Sequence, residues 1–328
     1  MSVERQVVCF QNRNGNTLVG TLHTPSDSPA GLPVIVLLSP GIKMRVGPHR
    51  LYNRMTAAFN ELGFTVFKFD FTGLGDSEGE LEREFLHEVY NMTESGFFVD
   101  DSVDALDYLY STLDSPSFIV GGLCGGAITG LLLAQQDSRV CGLISLAMTV
   151  TLSSGPEGRS KHAGASELEA LGRGYIRKLS DPKAWLRLLS LKSDFSTLTR
   201  SLRQLLIGRG PSPKELPTAK PGDKPATNAN PLFPPAFLSA LKSGRKIVLI
   251  YSKADRTYWD FRDKFVSEYQ ESIEEWAESY ELHLIDDANH VFSFREWEDQ
   301  VHSITTEWLS KNFVSKAIRS EPRQRSNR

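Results

Sequence analysis

Gly121-Gly122-Leu123-Cys124-Gly125-Gly126-Ala127 is the stretch from which the fold is read. Before it, Ser117-Phe118-Ile119-Val120 is a short apolar, partly β-branched run of the kind a buried strand needs. After it, Ala127 to Gln135 reads as an apolar helix. A small-residue turn between strand and helix, with a nucleophile at its tip, is the nucleophile elbow, written here G-x-C-x-G. The nucleophile of such a turn sits in a strained backbone conformation, and side chains in place of the flanking glycines would collide with the strand and the helix. The alternative is that Cys124 is a small buried residue at a tight turn, because free cysteine often packs as a hydrophobe. Packing alone accounts poorly for the glycine frame.

Outward from the elbow the pattern repeats. Val34-Ile35-Val36-Leu37-Leu38 is a continuous apolar run that ends in the loop Ser39-Pro40-Gly41-Ile42. Leu51, Met55, Ala58 and Leu62 then share one face of a helix that Gly63 stops. Phe64 to Asp70 reads as a strand and runs into the glycine-rich turn Thr72-Gly73-Leu74-Gly75-Asp76-Ser77. Val99, Val103, Leu106 and Tyr110 mark a second amphipathic helix, and Val140 to Val150 a further buried strand. This alternation predicts an α/β fold, a mostly parallel sheet with helices on both faces. At the N-terminal end, Val7 to Phe10 and Thr17 to His23 flank Asn14-Gly15, which predicts an antiparallel hairpin at the sheet edge.

The pattern breaks after Val150. No strand signal appears from Ser153 to about Pro235, while Ser180-Asp181-Pro182 opens a helix and Leu198 to Leu206 suits another. Residues 211–235 hold eight of the chain's 17 prolines and read as a mobile, extended linker. The sheet resumes at Lys246 to Tyr251. A helix from about Tyr258 to Trp276, a strand at Tyr280 to Ile285 and a last helix carrying Trp297, Val301, Ile304 and Trp308 complete it. The expected organisation is a core of 1–151 and 242–315, a lid or cap insertion at 152–241, and a basic, solvated tail at 316–328.

Composition narrows the function classes. The net charge of -3 predicts no general affinity for nucleic acid or membrane. Residues 151–240 carry 14 Lys and Arg against 7 Asp and Glu, a local +7 that leaves about -10 on the remainder. Three cysteines, Cys9, Cys124 and Cys141, have no framework spacing and argue for a reducing compartment. Cys9 and Cys141, within strand patterns, read as core residues. With no apolar leader segment and no long apolar run, a soluble, cytoplasmic protein is expected. No metal-ligand cluster or cofactor motif is visible.

A cysteine nucleophile needs a base, and the base needs an orienting group; the chain order for this elbow is nucleophile, acid, histidine. Asp255 directly follows the strand after the insertion, and His290 lies in the loop between the last strand and the last helix. Both fall at C-terminal strand ends, the edge where open α/β sheets build sites, and the elbow puts Cys124 at the same edge. His290 would take the thiol proton, and Asp255 would fix the imidazole tautomer and stabilise its cation. The backbone N–H groups of Gly125 and Ile42 are the expected oxyanion donors. Asp255 could instead be a simple helix cap, His290 a solvated loop residue, and Asp286 or Asp287 a nearer but awkwardly placed carboxylate. Arg45 and His49 flank the oxyanion loop and are candidates for contacting substrate or for shaping that loop.

With these residues placed, the chain resembles the α/β-hydrolase superfamily over nearly all of 1–315. Phe69-Asp70-Phe71-Thr72-Gly73-Leu74-Gly75-Asp76-Ser77 is similar to that superfamily's D-x-R-G-x-G-x-S turn, with Thr72 where arginine is usual. Arg45-Val46-Gly47-Pro48-His49-Arg50, Gly73 to Glu80 and Gly122-Leu123-Cys124 together resemble the exosortase-associated hydrolases, as does Tyr175 to Leu189 their lid. The elbow is equally similar to those of dienelactone hydrolases, which hydrolyse esters, and polyhydroxyalkanoate synthases, which transfer acyl groups from coenzyme A thioesters. The resemblance implies an α/β-hydrolase fold and a Cys124–His290–Asp255 triad.

Three functions follow as expectations. The first is a hydrolase of acyl esters or thioesters. The second is an acyltransferase working from a coenzyme A or acyl-carrier-protein thioester, whose anionic groups the basic insertion could face. The third is a non-catalytic, hydrolase-like binding protein. Amides are disfavoured, because a thiolate is a good leaving group and the adduct tends to revert.

Overall fold

The computed structural model describes residues 2–82, 85–113, 117–153 and 228–315. Eight strands build one sheet: β1 (Val3–Gln11), β2 (Thr17–Pro25), β3 (Val34–Leu38), β4 (Val66–Phe69), β5 (Phe118–Leu123), β6 (Val140–Leu146), β7 (Lys246–Ser252) and β8 (Tyr280–Ile285). They lie in the order β1-β2-β4-β3-β5-β6-β7-β8. β1 and β2 pair antiparallel, β2 and β4 likewise, and all remaining neighbours are parallel. This is the α/β-hydrolase arrangement.

The described helices are α1 (Leu51–Glu61), α2 (Leu86–Glu94), α3 (Val99–Leu113), α4 (Gly125–Gln136), α5 (Phe233–Lys242), α6 (Arg256–Phe261), α7 (Ser267–Glu274) and α8 (Arg295–Leu309). Residues alternate across the central strands. Ile35, Leu37, Val66, Ile119, Ile144 and Val248 pack under α1 and α8, while Val36, Phe67, Val120, Leu143 and Leu249 pack under α3, α4 and α5. Every residue of β3, β4 and β5 is buried, the pattern expected of strands covered on both faces. Near the edge, β2 alternates buried and half-buried positions instead.

The chain divides into two units, Met1–Gly164 with Asn228–Arg328, and Ala165–Thr227. The second lies outside the described residues, as do the helix expected to open at Ser180-Asp181-Pro182, that expected over 198–206, most of the proline-rich segment and the tail. The end of that proline-rich segment differs from expectation: Phe233–Lys242 is a helix with Pro in its first turn, and Phe233 and Phe237 are buried in the core. Proline is tolerated there because the first turn's N–H groups have no helical partner anyway. β6 stops at Leu146, short of Val150, because Ala147 takes a left-handed φ of 45°. The helix expected over 258–276 is interrupted by a π turn at Arg262–Val266. Cys9 is exposed, not core; on an edge strand only one face is covered, and Val8 and Phe10 take it.

Candidate active site

The sheet delivers Cys124 to the C-terminal end of β5, with φ 53° and ψ -108°. A non-glycine residue holds such a conformation only where its surroundings impose it. Here the Cys124 N–H donates to Leu146 O at 2.8 Å, and its carbonyl accepts from Ala127 and Ile128 N–H at 3.1 Å each. The turn can be this tight because of its glycines. A Cβ on Gly126 would meet Leu38 O at 2.3 Å, and one on Gly122 would meet the Tyr52 hydroxyl and Leu38 O at 2.8 Å each.

Tyr52 itself went unrecognised in the sequence, where it reads as one more aromatic on α1. The β3–β5 ladder ends at Leu37 opposite Gly121. Beyond it the fully buried Tyr52 hydroxyl donates to Leu38 O at 2.9 Å and accepts from Leu123 N–H at 2.6 Å. The side chain thus ties the elbow to the end of β3. Burial without charged compensation pushes its phenol well above the ordinary range.

That loop lies against the start of α4. A Cβ on Gly125 would come within 2.8 Å of both Gly41 Cα and Gly41 N. The two expected oxyanion donors, Ile42 and Gly125, are therefore carried by closely apposed backbone segments. Among the described residues no backbone hydrogen bond engages either N–H.

Asp255 caps α6, accepting from Thr257 N–H at 3.3 Å and Thr257 Oγ1 at 2.7 Å. The same carboxylate stands 2.7 Å from His290 Nδ1. One carboxylate thus makes both the cap bonds and the histidine contact. His290 is presented by a tight loop in which Asp287 and Phe292 take left-handed φ angles and Asn289 bonds to Ser293 at 2.6 Å. Asp286 faces Lys253 instead, at 3.2 Å. Burial acts to lower the His290 ring, but its hydrogen bond to Asp255 and its contact with the Cys124 sulfur outweigh this and push it up to about 10. Asp255, raised by burial, is held below its ordinary value by His290 and Thr257.

Cys124, His290 and Asp255 line one cavity of about 260 Å³, with Tyr90, Glu94, Thr149, Thr151 and Arg256 among its other walls. Glu94, on α2, is a second residue that the sequence did not single out. Buried to 6 % exposure, it accepts from the Ser153 N–H and hydroxyl, and its carbonyl accepts from Asn230 Nδ2 at 2.7 Å. Leu152 N–H also donates to Asn228 O at 2.8 Å. Ser153 and Asn228 both line this cavity, and these bonds hold them to its wall.

Arg45 and His49 do not line the cavity. The Arg45 guanidinium is held by Asp70 and by Asp76 at 2.6 Å, and the backbone N–H of Arg45 donates to Asp70 Oδ1 at 2.5 Å. Arg45 thus fastens the loop after β3 to the glycine-rich turn. His49 is exposed, with φ 52°. Thr72, where the superfamily usually has arginine, bonds to Asp101 through its N–H at 2.8 Å and its hydroxyl at 3.0 Å.

The family described as serine aminopeptidase, S33, matches residues 34–199, a span that opens at β3 and contains the elbow. The chain belongs to this hydrolase family. This S33-family enzyme carries Cys124 at the elbow position where the family name implies serine. No match was found among curated proteins. Among solved structures, the esterase PF2001 of Pyrococcus furiosus is 16% identical, with 94% of this chain and 91% of that one covered at a TM-score of 0.54. The α/β hydrolase GrgF of Penicillium sp. sh18 is 17% identical, covering 95% and 99% at 0.53. A putative α/β hydrolase of Agrobacterium tumefaciens, ATU1826, is 17% identical, covering 95% and 98% at 0.51. Their likeness is one of fold. Among the described residues of this S33-family chain, no helix is long and apolar enough to cross a membrane.

Proposed function

We propose that this protein is an acyl hydrolase acting on esters or thioesters through a Cys124–His290–Asp255 triad, on the cysteine-nucleophile branch that the exosortase-associated hydrolases represent. The observation that carries the reading is the 2.7 Å contact between His290 Nδ1 and Asp255 beside Cys124 in a single cavity. The Cys124 thiolate attacks the acyl carbon, a C–S bond forms, and the carbonyl oxygen takes the negative charge between the Ile42 and Gly125 N–H groups. The imidazolium of His290 gives its proton to the departing alcohol or thiol as that bond breaks. Acylation removes the negative sulfur that helps raise the ring, leaving Asp255 alone to do so. The neutral imidazole can then take a proton from water, which attacks the thioester and releases the carboxylic acid and the thiol.

The test is incubation of the purified protein with short-chain p-nitrophenyl esters and N-acetylcysteamine thioesters, followed by intact-mass and peptide mapping. An acyl adduct on Cys124, absent in Cys124→Ala and hydrolysed with time, is the expected result. An adduct that persists in water and discharges only to an added alcohol or amine would reassign the protein as an acyltransferase using a coenzyme A or carrier-protein donor. Absence of any adduct across the panel would overturn both and leave a binding protein.

A further inference from the structure

On the face of the sheet that carries α1 lies a second cavity, of about 370 Å³, which shares no lining residue with the Cys124 cavity. Strand register builds its floor. Arg5 on β1 pairs with His23 on β2, and Thr21 on β2 pairs with Lys68 on β4, so all four side chains leave the same face. Asn53 on α1 and Arg45 from the oxyanion loop close it.

The charges here do not balance. Lys68 is 2% exposed, and its ammonium donates to the neutral Asn53 Oδ1 at 2.5 Å. Among the described residues, no carboxylate pairs with Lys68 or Arg5; Arg45 already has Asp70 and Asp76. A buried ammonium without a counter-ion is costly, and proteins tolerate it chiefly where function needs it. Burial first, then Arg45 and Arg5, lowers Lys68 to about 8, while burial and Lys68 lower His23 to about 4. At neutral pH the cavity therefore presents cationic Lys68 and Arg5, a neutral imidazole and the Thr21 hydroxyl.

We propose that this cavity is a binding site for a phosphate group, free or as a monoester, with Lys68 and Arg5 as counter-charges and the Thr21 hydroxyl as an additional donor. Two cationic groups match a phosphate dianion better than a single-charge carboxylate, and the guanidinium fork suits two phosphate oxygens at once. The site is independent of the proposed acyl chemistry.

The test is calorimetric titration of the full-length protein with inorganic phosphate, with ionic strength held by sodium chloride and acetate as the control anion. Saturable binding of phosphate but not acetate is expected. Lys68→Met should weaken it by about tenfold or more, because hydrogen bonds to charged groups are the strong ones. Arg5→Gln, on an exposed edge-strand residue, should weaken it severalfold and serves if Lys68→Met does not fold. Glycerol phosphate binding as well as inorganic phosphate marks a monoester site; binding of inorganic phosphate alone marks a free-phosphate site. Cys124→Ala should bind like the wild type. Phosphate heats no different from acetate, or affinities unchanged in Arg5→Gln and in a folded Lys68→Met, would overturn the proposal.

Discussion

Replacing Tyr52 by phenylalanine removes a single oxygen and should cost this protein a large part of its stability. That oxygen sits between Leu38 O at 2.9 Å and Leu123 N–H at 2.6 Å, in residues that are 0% and 2% exposed. Without it, one backbone acceptor and one backbone donor are left buried and unpaired. Each such group costs about 1–3 kcal/mol, so Tyr52→Phe should lose about 2–6 kcal/mol. A typical domain has only about 5–15 kcal/mol in all. Guanidinium unfolding of the two proteins measures the difference as a fall in the midpoint with an unchanged slope. Because Leu123 directly precedes Cys124, the rate of Cys124 alkylation by iodoacetamide should also change, while alkylation of exposed Cys9 should not. A loss below about 0.5 kcal/mol, the range of ordinary surface changes, would refute the idea that this hydroxyl completes the join between β3 and the elbow.

Two further predictions concern pH. The folded value of His290, about 10, lies above the ordinary 6.5, so its pairing contributes stability that is full below pH 6.5 and fades as pH rises toward 10. His290→Gln should therefore be less stable than wild type at pH 6, with the gap closing by pH 10; a pH-independent gap in unfolding midpoints would count against the pair. Lys68 has the opposite sign. Its folded value, about 8 against 10.5, makes the unfolded chain bind more protons between those limits, so the burial penalty is largest below pH 8 and eases above it. In phosphate-free buffer, wild type should gain on the order of 1 kcal/mol relative to Lys68→Met between pH 7 and pH 9. Parallel stability curves would show that Lys68 is not desolvated as described.

What the sequence revealed follows from which forces act locally. The central strands were legible because burial on both faces leaves Val34 to Leu38 and Phe118 to Val120 with no polar positions. The elbow was legible because its glycines answer to contacts with Leu38 and Ile144 backbone that no other residue could make. The order of elements along the chain, and the fold-back a carboxylate so near His290 in sequence would need, favour Asp255 over Asp286 and Asp287. Tyr52 and Glu94 were not legible, because an aromatic on a helix looks like core and a glutamate on a helix looks like surface. Only the meeting of distant segments gives them their partners: Leu123 lies 71 positions from Tyr52, and Ser153 59 positions from Glu94. Arg45 stands out beside the loop in sequence, but its pairing with Asp70, 25 positions away, is likewise tertiary. Pro234-Pro235 misled because proline stops a helix interior yet suits a helix start.

The perch under Cys124 is secured by main-chain bonds to Leu146, Ala127 and Ile128 and by glycine clearances, none of which involves sulfur. The scaffold is thus indifferent to which chalcogen it carries. Cysteine and serine codons can differ by one base, so a lineage built on this frame is one substitution away from exchanging thiol for alcohol chemistry without rebuilding anything beneath it. On the function proposed above, a cysteine within a family named for serine is a change of reagent in an unchanged vessel.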